Sequence, residues 1–247
     1  MSATTDTLEQ TLRTHEAVWN ERPVLRRLYR DWYRLIKGHL AEVPGTHVEL
    51  GSGIGRFREV VPDVVTTDIE PTPWADAVVD GETLPYADGS LANLVLIDVF
   101  HHLSRPAAFL SEASRALHPG GRVVILDPYC SPVSTLAYSR FHEERVDLRA
   151  PSLADDPEIA SSPYSSNQAR ATLVFFRDRG SFERRWPELR IVERRRLSFF
   201  LYPLSGGFSR PALVPAALYA PFSVLERMLA PLGSLAAFRC FVVLERA

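Results

Sequence analysis

Cysteine is nearly absent from this chain. Its 247 residues include only Cys130 and Cys240, far apart in sequence. Two such residues give neither a disulfide framework nor a thiolate metal spacing, so no metal site is expected and a reducing, cytoplasmic setting is. Long apolar runs are also lacking. The longest candidate, Pro211–Leu225, has 15 residues and three prolines. A membrane span needs about 20 apolar residues, so none is expected. The first ten residues are polar, with no apolar core of a secretory signal. An excess of one charge sign is missing too. The formal net charge is −2, which argues against a nucleic-acid partner.

What the chain does have is a glycine-rich turn, Glu49-Leu50-Gly51-Ser52-Gly53-Ile54-Gly55. Glycine lets the backbone turn sharply and lets a ligand approach main-chain N–H groups. The turn follows a short apolar run (47–50) and precedes an expected helix, 55–61, whose positive end would face the same spot. Upstream, residues 1–20 read as a polar lead-in. Leu25, Leu28, Tyr29, Trp32, Leu35, Ile36 and Leu40 have helical spacing, giving a helix over about 23–40.

Downstream, strands are expected at 64–67, 77–79, 93–97 and 122–126, with a helix at 105–117. Pro119-Gly120-Gly121 breaks the chain before the last of these strands. The continuous apolar run 93–97 suits a strand buried on both faces. Strand and helix alternating at this pace imply a parallel, doubly wound sheet, whose ligands sit at the carboxyl ends of the strands. After Asp127 the order weakens until strands at 190–200 and 237–244, with helices expected at 167–177 and within 216–229. The chain reads as one domain, 1–247, with a helical lead-in (1–42) and acceptor-side insertions at 128–189 and 201–236.

The dinucleotide fingerprint is Gly-x-Gly-x-x-Gly. Here the third glycine falls one residue early, which disfavours a nicotinamide dehydrogenase. Asp68 stands 17 residues after Gly51 at the next strand end, where a carboxylate can accept ribose hydroxyls. Asp80-Gly81-Glu82-Thr83-Leu84-Pro85-Tyr86, Asp98-Val99-Phe100-His101-His102-Leu103 and Leu117-His118-Pro119-Gly120-Gly121-Arg122 follow in order. Together these motifs resemble the class I S-adenosylmethionine-dependent methyltransferases, in their type-11, small-molecule branch. The resemblance is close over residues 45–128 and loose over 188–247.

That resemblance implies an α/β, Rossmann-like sheet of seven strands in the order 3-2-1-4-5-7-6 with strand 7 antiparallel. It implies S-adenosyl-L-methionine as cofactor. Gly51, Ser52, Gly53 and Gly55 would run beneath its methionine moiety, with Glu49 helping to hold the amino group. Asp68, followed by Ile69, would take the ribose. Asp80, Gly81 and Glu82 would frame the adenine, and Asp98 and Val99 would lie near the sulfonium. An Asn-Pro-Pro-Tyr-like motif after strand 4 is absent, against direct methylation of nucleic acid.

The acceptor is less legible. A hydroxyl nucleophile benefits from a base, and histidine titrates near neutrality. His101 and His102 follow strand 4, with His102 favoured, and His142 lies in the insertion. Tyr33, Tyr129, His142 and Asn167 are candidate acceptor contacts. The expected activity is O-methylation of a small acceptor, a hydrophobic one among the candidates, in a biosynthetic route, in a chain that could form a homodimer. The alternative is the same fold used for a rearrangement or cyclisation, or as a non-catalytic partner.

Overall fold

The computed structural model describes residues 2–141, 144–162 and 165–247, with side chains from residue 8 onward. Seven strands form one sheet: β1 (Thr46–Leu50), β2 (Val65–Asp68), β3 (Ala77–Val78), β4 (Leu91–Ile97), β5 (Leu117–Pro128), β6 (Leu189–Leu197) and β7 (Arg239–Arg246). Their order is β3-β2-β1-β4-β5-β7-β6. The first five are mutually parallel, and β7 is antiparallel to both β5 and β6. The order and the reversed last strand are those the motifs implied.

Helices cover both faces. Helix α1 (Ser2–Glu21) and helix α2 (Pro23–Lys37) lie on one side. There Leu25, Leu28, Trp32 and Ile36 pack with Phe57, Val95, Val124 and Phe241. Helix α3 (Pro106–Ala116) and the segment 170–185 lie on the other. There Phe100, Phe109, Phe175 and Phe182 bury against Leu94, Leu96, Val123 and Val242. Each such side chain contributes about 1.5–3 kcal/mol when fully buried. β4, central in this sandwich, is buried through Leu96, which explains its uninterrupted apolar run.

Several boundaries differ from the sequence reading. The lead-in is helical because Leu12 and Trp19, two turns apart, both bury, while Glu16 reaches Arg56 at 2.6 Å. Those contacts are with distant segments, so local periodicity is faint. After Gly55 only one 3-10 turn forms, Arg56–Glu59. Pro119-Gly120-Gly121 does not precede the strand but lies within it as a bulge, where Leu91 faces Leu117 and Asn93 faces Arg122. The helix expected at 167–177 begins at Arg170 and widens to a π-helical turn over Leu173–Arg177, in which the Asp178 N–H reaches the Leu173 carbonyl. No helix among the described residues is long and apolar enough to cross a membrane.

Candidate active site

The carboxyl ends of β1, β2, β3 and β4 surround a cleft of about 630 Å³. Its wall includes Gly51, Gly53, Asp68, Ile69, Asp80, Gly81, Glu82, Asp98, Val99 and His102. This volume lies within the range of small-molecule sites.

The glycine turn explains the cleft floor. Gly51, Gly53 and Gly55 all have left-handed backbone, with φ of 61°, 53° and 62°. Such φ values are unfavourable for residues with a Cβ. Space is also short at Gly51, where a Cβ would stand 2.5 Å from Val99 Cγ2. Turn closure comes from the Gly55 N–H to the Ser52 carbonyl (2.8 Å), and the Ser52 N–H ties the loop to Thr67 on β2 (2.8 Å).

Asp68 ends β2 facing this loop. Its carboxylate accepts from the Gly53 N–H at 3.1 Å and the Ile69 N–H at 2.9 Å. Burial raises its pKa, and those two N–H groups pull it back. Glu49 is the more perturbed acid. Burial, then the nearby Asp68 charge, push it up to about 8. Its Oε2 and the hydroxyl of Ser52 are buried without a hydrogen-bond partner.

At the next strand end Asp80 shapes its own turn, accepting from the Glu82 N–H (2.8 Å) and the Thr83 hydroxyl (3.2 Å). Glu82 is a clasp. It accepts from the Ser104 hydroxyl (3.0 Å), the Arg105 N–H (2.7 Å) and Arg105 Nε (2.8 Å), holding the start of α3 to the cleft wall.

Asp98 ends β4 with φ of 58°, rare for a non-glycine residue. It accepts from the Tyr29 hydroxyl at 3.0 Å and is ion-paired to Arg239. Because β7 runs antiparallel, its first residue, Arg239, pairs with Pro128 at the site end of β5. The guanidinium is buried beneath Tyr202, 4.0 Å from the ring centre, and 5.7 Å from that of Trp32.

Beyond Asp98 come two unlike histidines. His101 is 3 % exposed. Its Nδ1 donates to Asp127 at 2.9 Å, and its Nε2 stands 3.4 Å from Glu144. Burial opposes its charge, but the two carboxylates prevail and raise it to about 10. Complete burial raises Asp127 as well, against the pull of the imidazolium. The proton of that pair belongs on His101, which faces two acids. Glu144 is held well below the usual carboxylate range, since the bonds from His101 and Ser166 outweigh burial. His102 is lowered to about 4 by burial and by the charge of His101. Its Nδ1 lies 3.0 Å from the Ser165 carbonyl, so Nδ1 carries the hydrogen and Nε2 the lone pair.

The structure thus gathers Gly51, Gly53, Asp68, Ile69, Asp80, Gly81, Glu82, Asp98, Val99 and His102 around one cleft, with Glu49, Ser52, Gly55 and His101 immediately behind it. The expected acceptor contacts are not brought there. Tyr33 is buried between Trp19, Tyr29 and Phe57. Tyr129 accepts from Arg196 Nε on its hydroxyl oxygen (2.7 Å) and packs its ring against Phe176. The Asn167 side chain is spent on the backbone of Asp147 and Ala169. His142 lies outside the described residues. Sequence reasoning missed the part played by Arg239. Its one signal is a basic residue opening an otherwise apolar terminal strand. Glu144, two residues after His142, has no role in the sequence reading.

Comparison with known proteins agrees with this geometry. Residues 48–125 match a family model described as a methyltransferase domain. No curated protein matches the chain in sequence. Among solved structures, a Thermotoga maritima S-adenosylmethionine-dependent methyltransferase, described as a possible histamine N-methyltransferase, superposes with a TM-score of 0.56. It shares 16% identity over 96% of each chain. A complex between the Haloferax volcanii Trm112 methyltransferase activator and a protein described as a candidate methyltransferase gives 0.53 at 16% identity, over 99% of this chain and 97% of that one. Geranyl diphosphate C-methyltransferase from Streptomyces coelicolor A3(2), with Mg2+, geranyl diphosphate and S-adenosyl-L-homocysteine, gives 0.51 at 14% identity. That match covers 90% of this chain and 78% of that one.

The residues present suit the cofactor of this family, S-adenosylmethionine. The unpartnered Glu49 and Ser52 oxygens can meet a polar amino-acid moiety, the glycine floor leaves room no Cβ would leave, and Asp68 is an acceptor for a diol. Residues 48–125 thus match the methyltransferase-domain model, in a chain that has the fold of the class I S-adenosylmethionine-dependent methyltransferases.

Proposed function

We propose that this chain methylates a hydroxyl oxygen of a small molecule in a biosynthetic route, such as a natural product, a sugar or a lipid-linked sugar. The cofactor supplies an electrophilic methyl group on a sulfonium. The chain's own residues must hold the donor, bring an acceptor oxygen in line with it, and help that oxygen lose its proton.

Donor binding falls to Gly51, Ser52, Gly53, Gly55 and Glu49 for the amino-acid part. Asp68 with Ile69 takes the ribose, and Asp80, Gly81 and Glu82 take the base. Asp98 and Val99 mark the reacting end, where Asp98 is fixed by Tyr29 and Arg239. Activation of the acceptor falls to the His101–His102–Glu144 group, with His102 the member that lines the cleft. Val99 at that end is apolar, which suits an acceptor with an apolar body.

One observation carries the choice of oxygen. A histidine whose Nε2 keeps its lone pair stands beside Asp98 and Val99 at the cleft wall. An already nucleophilic carbon or nitrogen would need no such group. The test is turnover of a panel of hydroxylated and amine acceptors, read by mass spectrometry as the gain of one methyl group. Hydroxyl products that vanish in His102→Ala, with S-adenosylhomocysteine affinity kept, support the reading. Methylated amines alone, or full activity of His102→Ala, refute it. A cyclised or rearranged product with no methyl gained would favour the non-methylating use of the fold.

A further inference from the structure

His101, His102 and Glu144 each offer one ligand atom, and these atoms all lie within 4.8 Å of one another. Both rings are fixed from behind. His101 Nδ1 is bound to the Asp127 carboxylate and His102 Nδ1 to the Ser165 carbonyl. Metal-binding histidines nearly always have their second nitrogen held by a carboxylate or a backbone carbonyl, which fixes the tautomer and aims Nε2 at the ion. Here two adjacent histidines show one such partner each. The carboxylate is positioned as well, since Glu144 Oε2 accepts from the Ser166 hydroxyl and the Gln168 amide.

We infer that His101, His102 and Glu144 form a binding site for a divalent transition-metal ion at the acceptor end of the cleft. Zinc bonds run about 2.0–2.1 Å to imidazole nitrogen and 2.0–2.2 Å to carboxylate oxygen. Ligand atoms around such an ion are therefore roughly 3–4 Å apart, and His101 Nε2 and Glu144 Oε2 already stand at 3.4 Å. A small inward turn closes the widest pair. The ion would stand between His101 Nε2, Glu144 Oε2 and His102 Nε2. Two imidazoles and one carboxylate suit zinc, cobalt or iron(II) over magnesium or calcium, which favour all-oxygen sites. Three protein ligands leave at least one coordination position open. Of the three ligands His102 lines the cleft, which gives the site a side open to an acceptor there.

The metal's catalytic role deepens, and rests on, the hydroxyl reading above, while metal binding itself does not. A coordinated acceptor hydroxyl gives its proton to solvent water. The oxygen lone pair then forms the O–CH3 bond, the C–S bond breaks, and its electron pair returns to sulfur, leaving S-adenosylhomocysteine and the methyl ether. The ion is not oxidised or reduced.

The test uses full-length protein stripped with chelator and titrated with Co2+, followed by its visible ligand-field absorption. One equivalent should bind, with Zn2+ displacing it and millimolar Mg2+ failing to. Glu144→Gln and His102→Ala should each weaken Co2+ binding at least tenfold. Calorimetry with S-adenosylhomocysteine on Glu144→Gln, which lies off the cleft wall, reports whether that variant folds. No saturable absorption in the wild-type protein overturns the site, as does equal Co2+ affinity in wild type and a folded Glu144→Gln. Hydroxyl methylation by a protein that binds no Co2+ would overturn the metal alone and leave the proposed reaction standing.

Discussion

Glu49 should lose a proton when the cofactor binds. In the empty protein its carboxyl is raised from 4.5 to about 8, by burial first and Asp68 second. At pH 7 it is then about nine-tenths protonated. An ammonium group received beside it would favour the charged form and return the pKa toward its ordinary range. Because a free α-amino group titrates near 7.7–8.0, the cofactor itself takes up about 0.1–0.2 proton at pH 7. Net release should be roughly 0.7–0.8 proton per cofactor. Calorimetry in two buffers of different ionisation enthalpy measures this number directly, and Glu49→Gln should abolish it.

The same shift acts on stability. The folded-state pKa of this acid lies above its unfolded value, so the fold favours the neutral form. The contribution of this group to stability is greatest below pH 4.5, falls as pH rises toward 8, and is level above that. At pH 7 the loss is about 3 kcal/mol at 1.36 kcal/mol per unit. Glu49→Gln, neutral at every pH, should therefore stabilise the empty protein by about 2–3 kcal/mol at pH 7, on the same scale. At pH 4 the gain should be near zero. Urea unfolding at the two pH values reads both. A variant that is less stable than wild type at pH 7, together with no buffer-dependent binding heat, would refute the reasoning.

Other outcomes follow from the same contacts. Asp68→Ala should weaken S-adenosylhomocysteine binding by about 1.5–3 kcal/mol, the range for a hydrogen bond to a charged group, and unchanged calorimetric affinity would refute the ribose assignment. Gly51→Ala should lower stability by about 1–2 kcal/mol through its left-handed φ alone. It should also weaken cofactor binding, because its Cβ pushes on Val99; a binding isotherm like that of wild type contradicts this. Arg239→Met should cost about 2–3 kcal/mol in urea unfolding, below the 3–5 kcal/mol of fully buried pairs, because Asp98 is 26% exposed. A variant as stable as wild type would mean that Asp98 needs no counter-ion.

Much of this architecture was legible in local sequence because its causes are local. The early third glycine fixes the turn, 93–97 is apolar on both faces because β4 is central, and Asp68 and Asp80 end the next two strands. Where the causes are distant, the sequence is silent. Helix α1 is held by Leu12 against the glycine turn and Glu16 against Arg56, neither visible as periodicity. Pro119-Gly120-Gly121 reads as a stop, yet the ladder to β4 resumes on its far side as a bulge. Most telling are His101 and His102. Adjacent in sequence, they are driven to opposite charge states, His101 raised by Asp127 and Glu144 and His102 lowered by burial and by the charge of His101, and only the fold brings those groups together. Tyr129 and Asn167 show the converse, since polar residues in the right insertions had their hydrogen bonds claimed by Arg196 and Asp147.

A crystal structure of the protein with S-adenosylhomocysteine tests the central claim most directly. The account predicts the ribose hydroxyls on Asp68, the amino group toward Glu49, and the sulfur facing the Asp98–His102 end of the cleft. A ribose placed away from Asp68, or a sulfur turned from His102, would contradict it.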